Sequence, residues 1–409
     1  MKIAIIGLGY VGLPLFYLLS KNYTCIGLDK DFHRVNQLRE GIDYRECEKR
    51  HNIRKALLNS TLTSNYLDLS ECNMFIVCVP TGVDKQNIPD LKPLIKVCES
   101  VGKVLKKHDL VVFESTVFPG AIDEICTPLL EKSSNLKINE DFLVGYSPER
   151  INIGDKSHRI SAIPKIIAGS NATALSIMDE VYSTVLDAPT IKASCIKVAE
   201  AAKMYENVQR DILIALANEY AGFCKNEGIN INEVTECAAS KWNFMKVSPG
   251  LVGGHCIGID PYYILQRSNE KSYSMPLVKI ARTVNEEEPQ NVARYIKEYA
   301  KSINANSILL LGFSYKENTP DCRNTKVAEV YRELKRDFAL VDCFDPIVNQ
   351  REVAKEYNIP LKTIHITIRE QAQNLPTPVS TYALFKDGEF LTQGILNEKK
   401  FLKYAGIDM

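Results

Sequence analysis

Short apolar runs alternate with segments whose apolar positions recur at helical spacing through the first half of the chain. The runs at residues 2–6, 23–28, 74–79, 110–114, 142–146 and 166–169 read as strands, and 11–21 reads as a helix. Strands that alternate with helices predict a parallel, doubly wound sheet. The texture changes near residue 196. Residues 197–227 hold helix formers, with no proline and no glycine before Gly222, and Ile212, Leu213, Leu216 and Tyr220 keep helical spacing. One long helix is predicted there, followed by further helical texture to about residue 302. Strand texture returns at 307–311 and 340–344, around a predicted helix at 327–337. The order is α/β, helical, α/β, which divides the chain into 1–196, 197–302 and 303–409.

Composition narrows the function classes. A chain of 409 residues suggests two to four domains, and 45% hydrophobic with 24% charged residues is an ordinary globular balance. Fifty basic and fifty acidic residues cancel. That argues against a nucleic-acid partner, which needs a concentrated basic surface. No run approaches the ~20 apolar residues of a membrane span, and the apolar start at 3–6 is too short for a secretory signal. No membrane association and a cytoplasmic location are expected. The twelve cysteines show no Cys-x-x-Cys pair and no zinc spacing, so no metal site is expected.

The sharpest local signal is Gly7-Leu8-Gly9-Tyr10-Val11-Gly12. It fits the dinucleotide fingerprint, lies between a predicted strand and helix, and is followed by a strand ending in Asp29. The first glycine allows the turn, the second lets a pyrophosphate approach the helix N-terminus, and the third allows close packing. A carboxylate at Asp29 suits two ribose hydroxyls and favours NAD over NADP, although Lys30 and Arg34 lie nearby. Val79-Pro80-Thr81 and Glu114-Ser115-Thr116 end two other strands on the same rim, where ligands of open α/β sheets bind. As isolated residues they read equally well as turn or cap residues.

Further along, Gly250-Leu251-Val252-Gly253-Gly254-His255-Cys256-Ile257-Gly258-Ile259-Asp260-Pro261 crowds glycines around one cysteine. This arrangement suggests open space at the sulfur, and a helix starting nearby would favour thiolate. Asp260 would share a helical face with Cys256. Lys203 and Asn207, at i and i+4 on the long helix, can present an ammonium and an amide to one point, as an oxyanion requires. Glu149-Arg150 after Ser147-Pro148, and Lys316 with Asp321 and Arg323, are further candidates. From spacing alone, a buried cysteine, a solvated lysine and exposed loop charge are the commoner outcomes for such residues.

In this order, the motifs resemble the nucleotide-sugar 6-dehydrogenases, the UDP-glucose/UDP-mannose dehydrogenase family, over residues 1–346. The resemblance implies two Rossmann-like doubly wound domains joined by a long central helix and a helical middle region. The first would bind NAD, the middle would carry the cysteine and form a homodimer, and the last would bind UDP. It implies four-electron oxidation of a UDP-sugar C6 alcohol to a carboxylate, through a Cys256 thiohemiacetal and thioester. Lys203 and Asn207 would stabilise the oxyanion, Asp260 would orient Lys203 or water, and Thr116 and Glu149 would position and deprotonate water. Gly7, Gly9, Tyr10, Val11, Gly12, Asp29, Arg34, Pro80, Thr81, Ser115, Thr116 and Arg323 would contact the cofactor. Glu149, Arg150, Lys203, Asn207, Gly253, His255, Arg282 and Lys316 would contact the substrate.

Within the family, Arg150, His255, residues 152–158 and Arg282-Thr283-Val284-Asn285 resemble the UDP-N-acetylhexosamine branch, where the glucose branch has phenylalanine at Arg150 and a small residue at His255. This implies UDP-N-acetylglucosamine ahead of UDP-N-acetylmannosamine, UDP-N-acetylgalactosamine or UDP-glucose, in the service of surface polysaccharide synthesis. A two-electron 3-hydroxy-acid dehydrogenase shares the plan but has no need of Cys256. An inactive nucleotide-sugar-binding protein predicts a damaged catalytic set, and here the set is complete. The sequence departs from the family pattern after Asp345-Pro346, where residues 363–388 carry His365 and Phe385-Lys386-Asp387 in an unusual setting.

Overall fold

The structure, a computed structural model, describes residues 1–45, 47–84, 86–151, 159–317, 319–362, 384–386 and 389–392. Residues 152–158 and most of 363–388, singled out above, lie outside that set. The chain groups into two compact units, one of residues 1–212 and 255–280, the other of 213–254 and 281–409.

The first unit is built on strands β1 (Lys2–Ile6), β2 (Thr24–Leu28), β3 (Thr61–Thr63), β4 (Met74–Val77), β7 (Leu110–Phe113), β8 (Leu143–Tyr146), β9 (Lys165–Gly169) and β10 (Thr190–Lys192); β5 (Gly82–Val83) and β6 (Pro89–Asp90) form a separate small ribbon. The eight-stranded sheet runs β10-β9-β8-β7-β4-β1-β2-β3. Helices α1 (Gly12–Leu19), α2 (Phe32–Arg39), α3 (Arg50–Ala56), α4 (Lys92–Gly102), α5 (Thr127–Ser134) and α6 (Ala172–Val185) alternate with the strands. Successive strand residues enter opposite cores. Ile3 and Ile5 of β1 pack with Met74 and Ile76, while Ala4 and Ile6 pack with Phe75 and Val77. A sheet covered on both faces needs such continuous apolar runs, which is why the strands are legible.

One feature departs from an all-parallel sheet. β9 runs antiparallel to β8, and β10 follows β9. The register pairs Gly145 with Gly169 and Tyr146 with Ala168. Continued beyond the strand end, it sets Glu149 opposite Lys165. The antiparallel strand therefore delivers a lysine to the rim where the other strands end.

Helix α7 (Ile196–Glu227) has 32 residues, about 48 Å at the usual rise. Its first half belongs to the first unit, as does α9 (Asp260–Glu270). The second unit holds the rest of α7, α8 (Ile231–Ala239) and most of α10 (Pro276–Ser302). It also has a parallel sheet β11-β12-β13 (Ser307–Leu311, Leu340–Phe344, Leu361–Lys362) with α11 (Val327–Lys335) and α12 (Gln350–Tyr357). Phe313, Leu334, Val341, Cys343 and Val353 form its core. Leu384–Lys386 and Glu389–Thr392 pair as a short antiparallel ribbon. Among the described residues, no helix is long and apolar enough to cross a membrane.

Candidate active site

The glycine loop is built for close approach. Gly7 has φ +95°, and a Cβ there would stand 2.7 Å from the Cys78 carbonyl oxygen. A Cβ on Gly12 would collide with the Gly7 carbonyl. Gly9 is the open position: among the described residues only an Arg45 nitrogen comes within 4 Å of a Cβ there, at 3.7 Å. Tyr10 and Val11 complete the loop before α1. Asp29 stands at the end of β2 and accepts the Leu8 N–H at Oδ2 (3.0 Å) and the Asp31 N–H at Oδ1 (3.0 Å). Each oxygen keeps acceptor capacity for a ribose hydroxyl. The open glycine, the helix N-terminus and this carboxylate fit the expected NAD.

Arg34 is placed differently from a cofactor ligand. It is buried, donates to the Leu8 carbonyl from Nε (3.2 Å) and Nη2 (3.0 Å), and pairs with Asp43 at 2.6 Å. It braces the loop from beneath. Thr81 Oγ1 donates to the Thr116 carbonyl (2.7 Å), and Ser115 Oγ donates to the Val79 carbonyl (2.7 Å). The two strand-end motifs, with Pro80 between Val79 and Thr81, are thus stitched to one another.

Helix α7 presents a buried polar stripe: Glu200, Lys203, Asn207 and Asp211, at offsets of 3, 7 and 11 residues. Asn207 Nδ2 donates to Asp260 Oδ2 at 2.6 Å. The Asp260 N–H donates to the Cys256 carbonyl at 2.9 Å, so Cys256 lies one turn ahead of Asp260 at the entry to α9, with its side chain exposed and His255 beside it. Burial pushes the Asp260 carboxyl up to about 6, offset in part by the Lys203 charge and the Asn207 hydrogen bond. The hydrogen-bonded partner of Asp260 is therefore Asn207, with Lys203 acting on it as a nearby charge.

The glycines before Cys256 have a packing role. A Cβ on Gly253 would stand 2.6 Å from the Asn324 carbonyl oxygen, and one on Gly254 would stand 2.5 Å from the Tyr315 ring. At these two positions the missing side chains make room for Asn324 and Tyr315, rather than for a ligand at the sulfur.

Glu149 closes a second buried cluster. Its Oε1 accepts the N–H groups of Arg150 (2.7 Å) and Ile151 (2.8 Å), and its Oε2 meets Lys165 Nζ at 3.2 Å. Lys165 also reaches Glu114 at 3.1 Å, and Tyr182 donates to Glu114 at 2.5 Å. Burial opposes the Lys165 charge, but the two carboxylates outweigh it and hold the lysine above its ordinary range. Glu114 is pushed up by burial, and also by the like charge of Glu149, against the pull of Lys165. Arg150 turns to α7, where its Nε donates to Glu206 (3.1 Å), its Nη2 lies 2.6 Å from the other Glu206 oxygen, and its Nη1 donates to the Pro164 carbonyl (3.1 Å).

Sequence reasoning missed Lys165, Tyr182, Glu200 and Glu206. The polar stripe of α7 was the available signal for Glu200, whose carboxylate takes the N–H groups of Gly120 (2.5 Å) and Ile122 (3.0 Å) beyond Thr116. Lys165, at the head of an apolar strand, gave no signal without the antiparallel register.

The remaining candidates lie in the second unit. Arg282 is buried on α10 and pairs with Glu286, which also takes Lys326. Arg323 grips Asp321 through Nε (2.9 Å) and Nη2 (2.6 Å). Lys316 follows β11, and its carbonyl accepts the Ser314 hydroxyl at 2.7 Å.

Comparison with known proteins matches the UDP-glucose/GDP-mannose dehydrogenase family in three segments: its NAD binding domain at residues 1–186, its central domain at 197–287 and its UDP binding domain at 309–375. The second nucleotide sugar is GDP-mannose, rather than the UDP-mannose of the sequence expectation. A YoaP-like model matches residues 360–403, within the stretch where the sequence departs from the family pattern. A UDP-N-acetyl-D-glucosamine 6-dehydrogenase of Pseudomonas aeruginosa is 46% identical over 88% of this chain and 86% of its own length. One from Salmonella typhi is 46% identical over 88% and 85%. The structure of a UDP-D-ManNAc dehydrogenase from Pyrococcus horikoshii superposes with a TM-score of 0.81 at 30% identity, covering 85% of this chain and 84% of that one.

Proposed function

This chain belongs to the UDP-glucose/GDP-mannose dehydrogenase family and is an NAD-dependent UDP-sugar 6-dehydrogenase, and from that premise we propose that it oxidises UDP-N-acetylglucosamine to the uronic acid through a covalent Cys256 intermediate. The substrate rests on the 46% identity to two enzymes of that name. The chemistry rests on one placement: Asn207 donates to the Asp260 side chain at 2.6 Å, and the backbone bond of 2.9 Å from the Asp260 N–H to the Cys256 carbonyl sets Cys256 one turn ahead of that pair.

Bound at the glycine loop and Asp29, NAD would supply the hydride acceptor for the two oxidations at C6. The residues do the rest. Cys256 thiolate adds to the C6 aldehyde and keeps it on the enzyme as a thiohemiacetal, while Lys203 and Asn207 stabilise the oxygen that gains charge. Oxidation leaves a thioester. Water adds, the C–S bond breaks, and sulfur departs as thiolate with the carboxylate released. Asp260, buried and ionised above about pH 6, is matched to proton transfer near neutrality. Thr116 and Glu149 orient the water. Gly253, His255, Arg282 and Lys316 toward substrate, and Arg323 toward cofactor, complete the proposal. A Lys316→Ala variant with an unchanged KM for UDP-sugar would remove Lys316 from it.

A homodimer in the cytoplasm belongs to the same reading, with functional segments at 1–196, 197–302 and 303–409. Leu216, Tyr220 and Phe223 of α7, with Trp242, Phe244 and Met245 beyond α8, are exposed large apolar side chains, which supports burial against a second copy. Light scattering that returned a 46 kDa species at micromolar concentration would remove the dimer.

NADH release from a panel of UDP-sugars tests the central claim. Two NADH per UDP-N-acetylglucosamine are expected, with lower kcat/KM for the manno, galacto and glucose analogues. Cys256→Ala should bind both ligands and lose steady-state turnover. Full activity in that variant, with two NADH per sugar, would make the cysteine structural.

A further inference from the structure

We propose that Glu206 is a positioning residue that sets the preference for a 2-acetamido sugar by fixing the orientation of Arg150. The proposal rests on the reading that the substrate is a UDP-N-acetylhexosamine whose sugar meets Arg150.

Arg150 follows Glu149, and Glu206 precedes Asn207. The pair therefore ties the segment after β8 to the turn of α7 that carries Lys203 and Asn207. The contact is two-pronged. Arg150 Nε and Nη2 face the two Glu206 oxygens at 3.1 and 2.6 Å, which fixes the plane of the guanidinium. Nη1 is anchored on the Pro164 carbonyl at 3.1 Å. A guanidinium has five N–H groups. With three directed at Glu206 and Pro164, one remains on each terminal nitrogen.

Two donors on adjacent nitrogens suit the two lone pairs of a single carbonyl oxygen. The surroundings suit the rest of an acetamide. Arg150 lies at the edge of a shallow, solvent-open recess walled by Pro148, Ile160, Ile163 and Pro164, with Glu149 and Lys165 also lining it. An acetamido group brings a carbonyl oxygen and a methyl group together, and the recess brings donors and apolar wall together. A sugar with hydroxyl at that carbon offers nothing to the wall. Without the Glu206 carboxylate the arginine turns about its long side chain, and the donors no longer converge.

Glu206 is a suitable anchor because it sits on a long helix, so its own backbone is fixed. The pair is also partly exposed, at 28% and 37% of the side chains. Exposed ion pairs contribute little to stability. Its loss should therefore be read in specificity and leave folding intact.

The test uses the full-length enzyme with saturating NAD and compares kcat/KM for UDP-N-acetylglucosamine and UDP-glucose. Arg150→Ala sets the scale and should lower the ratio roughly 10- to 150-fold, the worth of a hydrogen bond to a charged group. Glu206→Ala should lower it at least tenfold, mainly through KM for the acetamido sugar, with UDP-glucose changed by less than about threefold. Glu206→Gln, which keeps one acceptor oxygen, should fall between. The double variant should be no worse than Arg150→Ala alone, because the two residues act as one. Melting curves establish that each variant is folded. If Arg150→Ala collapses the ratio while both Glu206 variants keep it within twofold of wild type, the proposal is overturned and the substrate reading stands. If Arg150→Ala leaves the ratio unchanged, or wild type shows no preference for the acetamido sugar, the underlying reading fails and takes the proposal with it.

Discussion

Asn207 of α7 donates a 2.6 Å hydrogen bond to Asp260 of α9, and both side chains are buried. The bond fixes two elements 53 residues apart, and it orients the amide. With one Nδ2 hydrogen on the carboxylate, the other N–H of the amide is held in one direction. Asp260 also lies at the start of α9, where its backbone N–H reaches back to Cys256 at 2.9 Å. One residue thus connects the polar stripe of α7 to the Cys256 segment.

The position of Asp260 predicts an acid limb. Burial raises its carboxyl to about 6, so it is ionised above that pH and protonated below. If the ionised form takes a proton, kcat should fall as pH drops through about 6. Asp260→Asn should abolish the limb and lower kcat roughly 10²- to 10⁴-fold, the usual worth of a positioned acid or base. A wild-type profile flat from pH 8 to pH 5 would show that the ionised form is not required.

Lys165 predicts a stability effect. It stands between Glu114 (3.1 Å) and Glu149 (3.2 Å), almost wholly out of water. Lys165→Met leaves two buried carboxylates without their cation. Breaking a buried pair in this way typically costs about 3–5 kcal/mol. Lys165→Arg keeps the charge and should lose much less. The deficit of the Met variant should narrow at low pH, since a protonated Glu114 needs no cation. Urea unfolding at two pH values measures both; a Met variant as stable as wild type would show that the cluster does not depend on its lysine.

Asp29 predicts the cofactor preference. Its oxygens are oriented by the Leu8 and Asp31 N–H groups, and a 2′-phosphate would meet its negative charge. kcat/KM should favour NAD over NADP, and Asp29→Asn should narrow the ratio chiefly by weakening NAD. Equal values for the two cofactors in wild type would contradict this.

Much of this was legible because local chemistry dictated it. The strand at 2–6 is apolar on both faces, Gly7 needs its positive φ, and the stretch before Pro261 turns straight into α9. What was illegible depended on tertiary placement. Arg34 reads as a cation beside a cofactor, yet it serves the Leu8 carbonyl and Asp43. Gly253 and Gly254 read as clearance around a sulfur, yet they admit Asn324 and Tyr315, which lie far along the chain. Lys165 reads as the polar flank of a strand. Only the reversed direction of β9 reveals that it faces Glu149. Spacing along the chain carries the period of an element but not the direction of its neighbour.

Glu200 predicts a pH dependence of a different sign from that of an ordinary surface carboxylate. It is fully buried on α7, one turn before Lys203, and its oxygens accept the N–H groups of Gly120 and Ile122. Burial pushes its carboxyl up to about 7; the two N–H groups and Lys197 pull the other way, and Asp123 adds to the rise. In the unfolded chain it titrates near 4.3. Between those values the folded protein holds a proton that the unfolded chain has released. Stability from this group is therefore fully present below about pH 4, lost as pH rises, and level above about 7. The loss is on the order of 3 kcal/mol. Glu200→Gln cannot ionise, so it escapes that loss while giving up one acceptor. Against wild type, the Gln variant should gain ground from pH 5 to about pH 7 and hold that gain to pH 8. Melting temperatures of the two proteins measured across that range give the comparison directly. A difference that stays constant with pH, or runs the other way, would mean that Glu200 is ionised throughout and that the two backbone N–H groups suffice to hold its charge.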